Sequence, residues 1–146
     1  MKKTAIGLFA CLALLRAGAE ELQWTTDLPK AQAQAKQEHK LVMLDFTGSD
    51  WCGWCIKLNR DVFSKPEFAK YAKENLVLVE VDFPRNKKQS AEQKKANADL
   101  QAKYKIDGYP TIIVLNGEGK QVGTLQYTPS AKDFIDKLAE CKKAGT

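Results

Sequence analysis

The sequence predicts an α/β fold, a small mixed sheet with helices on both faces. Three observations carry that expectation. Short apolar runs at 41–46, 76–83 and 111–115 alternate with longer polar, helix-forming stretches. Asn116-Gly117-Glu118-Gly119 is a turn signal between the third run and a returning strand at 121–126. Strands separated by helices pair in parallel through right-handed crossovers, whereas the closing hairpin adds an antiparallel pair.

Taken in order, residues 20–26 form a lead-in with Leu22 and Trp24 facing one way. Asp27 is placed to cap a helix reaching about Lys40. The run Leu41-Val42-Met43-Leu44-Asp45-Phe46 reads as a buried strand, followed by a loop over 47–50. A helix is expected from about Cys52 to Arg60. Ser64-Lys65-Pro66-Glu67 has the spacing of a capping box, so another helix is expected from there to about Glu74. The strand at 76–83 ends at Pro84. A polar helix follows over about 90–103, and a last one runs from near Ser130 to Lys143, before Gly145.

With 146 residues, 44% hydrophobic and 28% charged, the chain is of ordinary globular composition and one domain in size. Its first residues look like an address. Lys2 and Lys3 precede an apolar stretch at 4–15, and Ala17-Gly18-Ala19 fits a small-residue cleavage site. The expected division is a signal peptide at 1–19 and a domain at 20–146, giving a periplasmic or otherwise exported bacterial protein. Membrane attachment is expected only if the leader stays uncleaved. The apolar stretch is shorter than the roughly 20 residues of a spanning helix. Residues 1–19 carry Lys2, Lys3 and Arg16 and no acids, so the rest of the chain has net charge +2 rather than +5. The charge therefore gives no reason to expect a nucleic-acid partner.

The chemistry concentrates in Trp51-Cys52-Gly53-Trp54-Cys55. Thiols three positions apart at the start of a helix lie one turn apart on one face and can close into a disulfide. Cys52, in the first helical turn, is favoured as a thiolate by free N–H groups and the helix dipole. Cys55 can then attack a mixed disulfide formed on Cys52. Structural alternatives are weaker. A zinc site takes about four ligands, and beyond this pair and the leader only Cys141 and the single His39 are at hand. A c-type haem needs His after the second cysteine, and residue 56 is Ile. No metal and no cofactor are expected. Phe134, Leu138 and Cys141 share a helix face, so Cys141 reads as a core residue.

A second segment, Ile106-Asp107-Gly108-Tyr109-Pro110-Thr111, directly precedes an apolar strand, about fifty residues after the thiol pair. With the strand-loop-helix segment at 41–57, it makes most of residues 25–143 resemble the thioredoxin family, its exported bacterial members above all. The resemblance implies a thioredoxin-like three-layer α/β/α fold and thiol-disulfide exchange. It implies Cys52 as nucleophile, Cys55 as resolving thiol, and the pair as a redox-active disulfide. Asp45 matches the buried acid that takes a proton from the resolving thiol, unless the loop to Cys52, one residue longer than usual, turns it away. Pro110 would be cis, and Trp51, Gly53, Trp54, Tyr109 and Pro110 would border the substrate.

The dipeptide Gly53-Trp54 departs from the Gly-Pro or Gly-His usual in this family. Trp54 brings an apolar ring and no positive charge, and Asp50, if close, would oppose a thiolate at Cys52. Both favour reduction or isomerisation of protein disulfides over strong oxidation. The expected partners are protein disulfide or dithiol substrates and a redox partner of unidentified kind, with a monomer as the default state. The competing reading is a binding module or chaperone with a static disulfide, using a Trp51/Trp54/Tyr109 surface.

Overall fold

The structure, a computed structural model, describes residues 21–145. The leader pattern at 1–19, with Cys11, lies outside the described residues. The elements are β1 (Trp24–Thr25), α1 (Leu28–Glu38), β2 (Leu41–Thr47), α2 (Gly53–Leu58), a π-helical turn (Asn59–Phe63), α3 (Pro66–Asn75), β3 (Leu76–Asp82), α4 (Ala91–Lys103), β4 (Thr111–Leu115), β5 (Gln121–Leu125) and α5 (Ala131–Ala144). The strands form one sheet in the order β1-β3-β2-β4-β5. β1, β3 and β2 are parallel, while β4 and β5 run antiparallel.

β2 is central and every residue in it is buried, as its unbroken apolar run requires. Its odd-numbered residues face one layer. There Leu41 and Met43 join Leu76 and Leu78 of β3 against Leu58, Val62, Phe63, Phe68, Phe134 and Leu138. Phe63, Phe68 and Phe134 meet at centroid distances of 5.0–6.0 Å, which ties the π-helical turn, α3 and α5 together. The even-numbered residues Val42, Leu44 and Phe46 face Ala31 and Ala35 of α1, with Leu100 of α4 and its C-cap residue Tyr104 beside them. The three-layer α/β/α arrangement follows.

Asp27, Ser90 and Ser130 cap α1, α4 and α5, each side chain accepting a backbone N–H three residues on. Three local expectations are corrected. The lead-in contains a strand, β1, which pairs Trp24 with Leu78 and Thr25 with Val79 at the sheet edge. Ser64 does not cap α3. Lys65 is the N-cap without a side-chain bond, and Pro66 opens the helix, where a missing N–H costs nothing. The helix after the thiol pair does not stop at Arg60 but widens into the π-helical turn ending at Phe63.

Candidate active site

Strand β2, at the centre of the sheet, ends at Thr47, and Gly48 turns the chain toward α2. A Cβ on Gly48 would stand 2.5 Å from Trp51 Cε2, so glycine is required where the indole lies flat on the backbone. Trp51 Nε1 donates to the carbonyl of Phe83 at 2.7 Å. Its ring meets the edge of Tyr109 at 6.0 Å, and Arg85 stacks over it at 3.9 Å. Tyr109 also stacks on Phe83 at 5.2 Å and accepts from Gln101 Nε2 at 2.8 Å.

Cys52 and Cys55 are joined by a disulfide, their Cα atoms 5.2 Å apart. Cys52 is the N-cap of α2 rather than a member of its first turn, and its Sγ accepts the N–H of Cys55 at 3.2 Å. Both sulfurs belong to buried residues. Gly53 is exposed with open space around it. Trp54 is 59% exposed and Ile56 51%, so apolar surface is offered beside a covered disulfide. The Tyr109-Pro110 bond is cis and Pro110 is buried.

Asp45 is 8% exposed and is not turned away by the longer loop. It lines a cavity of about 380 Å³ together with Cys55, Ile56, Asn59 and Glu80. Its Oδ1 has no hydrogen-bond partner among the described residues. Burial, reinforced by the charges of Glu80 and Asp82, pushes its carboxyl up to about 8. Glu80 is also raised, by burial first and by Asp82 second, against the pull of Lys87.

Asp50 does not face the thiols as an opposing charge. Its carboxylate accepts the backbone N–H groups of Arg85, Asn86 and Lys87 at 2.7–3.1 Å, and those bonds hold it below the usual carboxylate range. Trp54 is braced from below: its ring packs on Tyr127 at 5.1 Å. The Tyr127 hydroxyl donates to Asp61 at 2.8 Å, and Lys57 pairs with Asp61 at 2.6 Å. Asp61 is lowered by the bonds from Lys57, Arg60 and Tyr127. Among the described residues no group of three or more His, Cys, Asp and Glu is placed to hold a metal ion.

Sequence reasoning missed Glu80, Arg85 and the Lys57-Asp61-Tyr127 brace. Glu80 carried a readable signal: it shares the parity of the core-facing Leu76 and Leu78 in β3, which marks a charge pointing inward. The brace joins residues 66 positions apart and had none.

A disulfide-linked Cys-x-x-Cys at a helix start, with a buried acid below it and a cis-proline loop alongside, sits on a fold to which a thioredoxin-like domain family model matches over residues 28–142. The chain belongs to the thioredoxin-like family. It is 40% identical over 144 residues to the disulfide bond reductase DsbH of Chlamydia pneumoniae, covering 91% of this chain and 87% of that one. It is 30% identical over 104 residues to the thioredoxin-related protein DsbJ of the same organism, covering 71% of this chain and only 30% of DsbJ. A solved DsbH oxidoreductase structure superposes with a TM-score of 0.80 at 34% identity, covering 97% of this chain and 95% of that one. This thioredoxin-like protein is a thiol-disulfide oxidoreductase with Cys52 and Cys55 as its Cys-x-x-Cys pair.

Proposed function

We propose that the protein is an exported reductase or isomerase of protein disulfides, with Cys52 as nucleophile, Cys55 as resolving thiol and Asp45 as proton acceptor. The observation that carries this reading is the Cys52–Cys55 disulfide at the N-cap of α2, beside the cavity that Cys55 and Asp45 both line. In the reduced protein the Cys55 N–H and the positive end of α2 favour a thiolate at Cys52. That thiolate attacks a substrate disulfide. The substrate S–S bond breaks, and its electron pair leaves on the distal sulfur, which takes a proton from water. Cys55 then gives its proton to the ionised form of Asp45, and its sulfur bonds to Cys52 Sγ while the Cys52–substrate bond breaks, its electron pair leaving on the second substrate sulfur. The substrate gains two electrons, the thiol pair loses two, and the proton rests on a carboxyl raised to about 8 and so able to keep it at neutral pH.

Trp51, Gly53, Trp54, Tyr109 and Pro110 border the substrate in this reading. Exposed Trp54 and Ile56 supply an apolar landing surface for an unfolded or extended segment. Reduction is favoured over oxidation because Trp54 adds no positive charge between the thiols, and because the relative DsbH is named a disulfide bond reductase. The leader pattern at 1–19 supports export of a domain starting at Glu20, periplasmic in a bacterium. The substrates are then proteins carrying disulfides, and a separate redox partner returns the pair to the dithiol.

Insulin reduction with dithiothreitol tests this reading. Wild type is expected to accelerate precipitation of the insulin B chain, and Cys52→Ser to fall to the dithiothreitol background. Equal rates would overturn it.

A further inference from the structure

Beneath the disulfide lies a second carboxyl that the exchange steps above do not use. Asp45 and Glu80 are register partners on adjacent parallel strands, so their side chains leave the same face of the sheet about 4.8 Å apart at the backbone. Both line the cavity that Cys55 closes. Asp45 is more than nine-tenths buried and its Oδ1 has no hydrogen-bond partner among the described residues, so neither a donor nor a cation offsets its charge there.

The other charged or titratable groups near the pair are few. Asp82, also on β3, has its carboxylate taken by the N–H and hydroxyl of Ser49. Lys87, from the connection after β3, acts on Glu80, and its Nζ donates to the Ser49 hydroxyl at 2.9 Å. From the start of α2 come the two cysteines, Cys52 at its N-cap and Cys55 within it. Trp24 of β1, Asn59 and Phe63 of the π-helical turn, and Ile112, the β4 partner of Asp45, do not titrate.

We propose that Glu80 is a positioning residue for thiol exchange: its carboxyl, one strand over from Asp45 in a shared cavity, is the charge that keeps a proton stored at Asp45 while Cys52 and Cys55 are joined. Two carboxyls this close repel when both are ionised, so a proton added to the ionised pair is held firmly and the pair titrates as a unit. When Cys55 attacks, the ionised pair accepts its proton and keeps it while the disulfide is closed. When a dithiol of the redox partner reopens the disulfide, a partner thiolate bonds to Cys52 Sγ, and the Cys55 sulfur leaves with the bonding electron pair and takes up the stored proton. The partner's second thiol then displaces Cys52, so the partner is oxidised to a disulfide by the two electrons that the Cys52/Cys55 pair gains. This inference rests on the exchange reading above.

The test is the carboxyl-carbon titration of Asp45 by NMR in the oxidised protein, assigned with Asp45→Asn. It is paired with the pH profile of the second thionitrobenzoate released when the reduced protein meets dithiobis(nitrobenzoate), the step in which Cys55 clears Cys52. In Glu80→Gln the Asp45 midpoint is expected to fall by about one pH unit, with the release profile moving the same way. Glu80→Asp, which keeps the charge, is expected to retain the wild-type midpoint. Glu80→Met replaces Gln if the amide unsettles the strand. An unmoved midpoint in the neutral variants, an equal fall in Glu80→Asp, or a fall that leaves the release profile in place would overturn the proposal. The midpoint needs no turnover. If Cys52→Ser abolishes insulin reduction while the midpoint stays fixed, only Glu80 is at fault. If Cys52→Ser remains active, the exchange reading fails whatever the titration shows.

Discussion

In the oxidised protein Asp45 holds its proton at neutral pH because the ionised form would face an apolar interior and two further carboxyls. A carboxyl raised in the folded state stabilises the protein below its unfolded value near 4, and that contribution is lost as pH rises through about 8. Each unit of the shift is worth about 1.4 kcal/mol, so ionising Asp45 costs several kcal/mol. Asp45→Asn is therefore expected to melt close to wild type at pH 4 and at least about 5 °C above it at pH 9. Thermal melts of the oxidised forms check this. The same change is expected to slow clearance of a mixed disulfide from Cys52 by about a hundredfold or more at neutral pH, measured in a single turnover. Asp45 could be singled out in the sequence because a charge inside an apolar strand is anomalous. The fate of Asp50 could not, because three backbone N–H groups from a distant loop decide it.

The cap of α1 at Asp27 was legible, as were the starts of α4 near Ser90 and of α5 near Ser130, because a side chain and a backbone N–H three residues apart settle them locally. β1 was not, since two residues show no period and the strand exists only through its pairing with β3. The π-helical turn was equally hidden, as packing of Phe63 among Trp24, Phe68 and Phe134 accompanies it rather than any local pattern. Packing of α5 on β5 gives the prediction at this scale. A Cβ on Gly123 would run into Cys141 Sγ, the buried thiol on the core face of α5. Gly123→Ala is expected to destabilise by about 1–3 kcal/mol in denaturant melts. Adding Cys141→Ala makes room and is expected to recover much of that loss. Strictly additive losses would show that the thiol is not what excludes the methyl group.

The alternation of apolar runs with polar helices, the hairpin signal and the thiol pair specified the three-layer arrangement, because each is repeated or local. Strand order at the edge, and the placing of Glu80 beside Asp45, depended on register, which emerges only once β3 lies between β1 and β2; the inward direction of Glu80 was already legible in its parity with Leu76 and Leu78. The proposed leader makes a separate prediction for the whole chain. Expressed in a bacterium, the exported form is expected to have an intact mass beginning at Glu20, and mass spectrometry of the periplasmic fraction checks it.

That starting point would leave only Glu20, Glu21, Leu22 and Gln23 ahead of β1. Among the described residues, Trp24 and Thr25 are the pair that hydrogen-bonds along the outer side of β3, a seven-residue strand rich in Val and Leu with strong β-propensity. A trimmed chain starting at Leu28 would keep every thiol and carboxyl of the site, yet present an uncovered, flat strand edge on which a second molecule can add. Such a chain is expected to self-associate, which sedimentation of the trimmed and longer chains checks; the few residues ahead of Leu28 then guard the protein's colloidal behaviour rather than its chemistry.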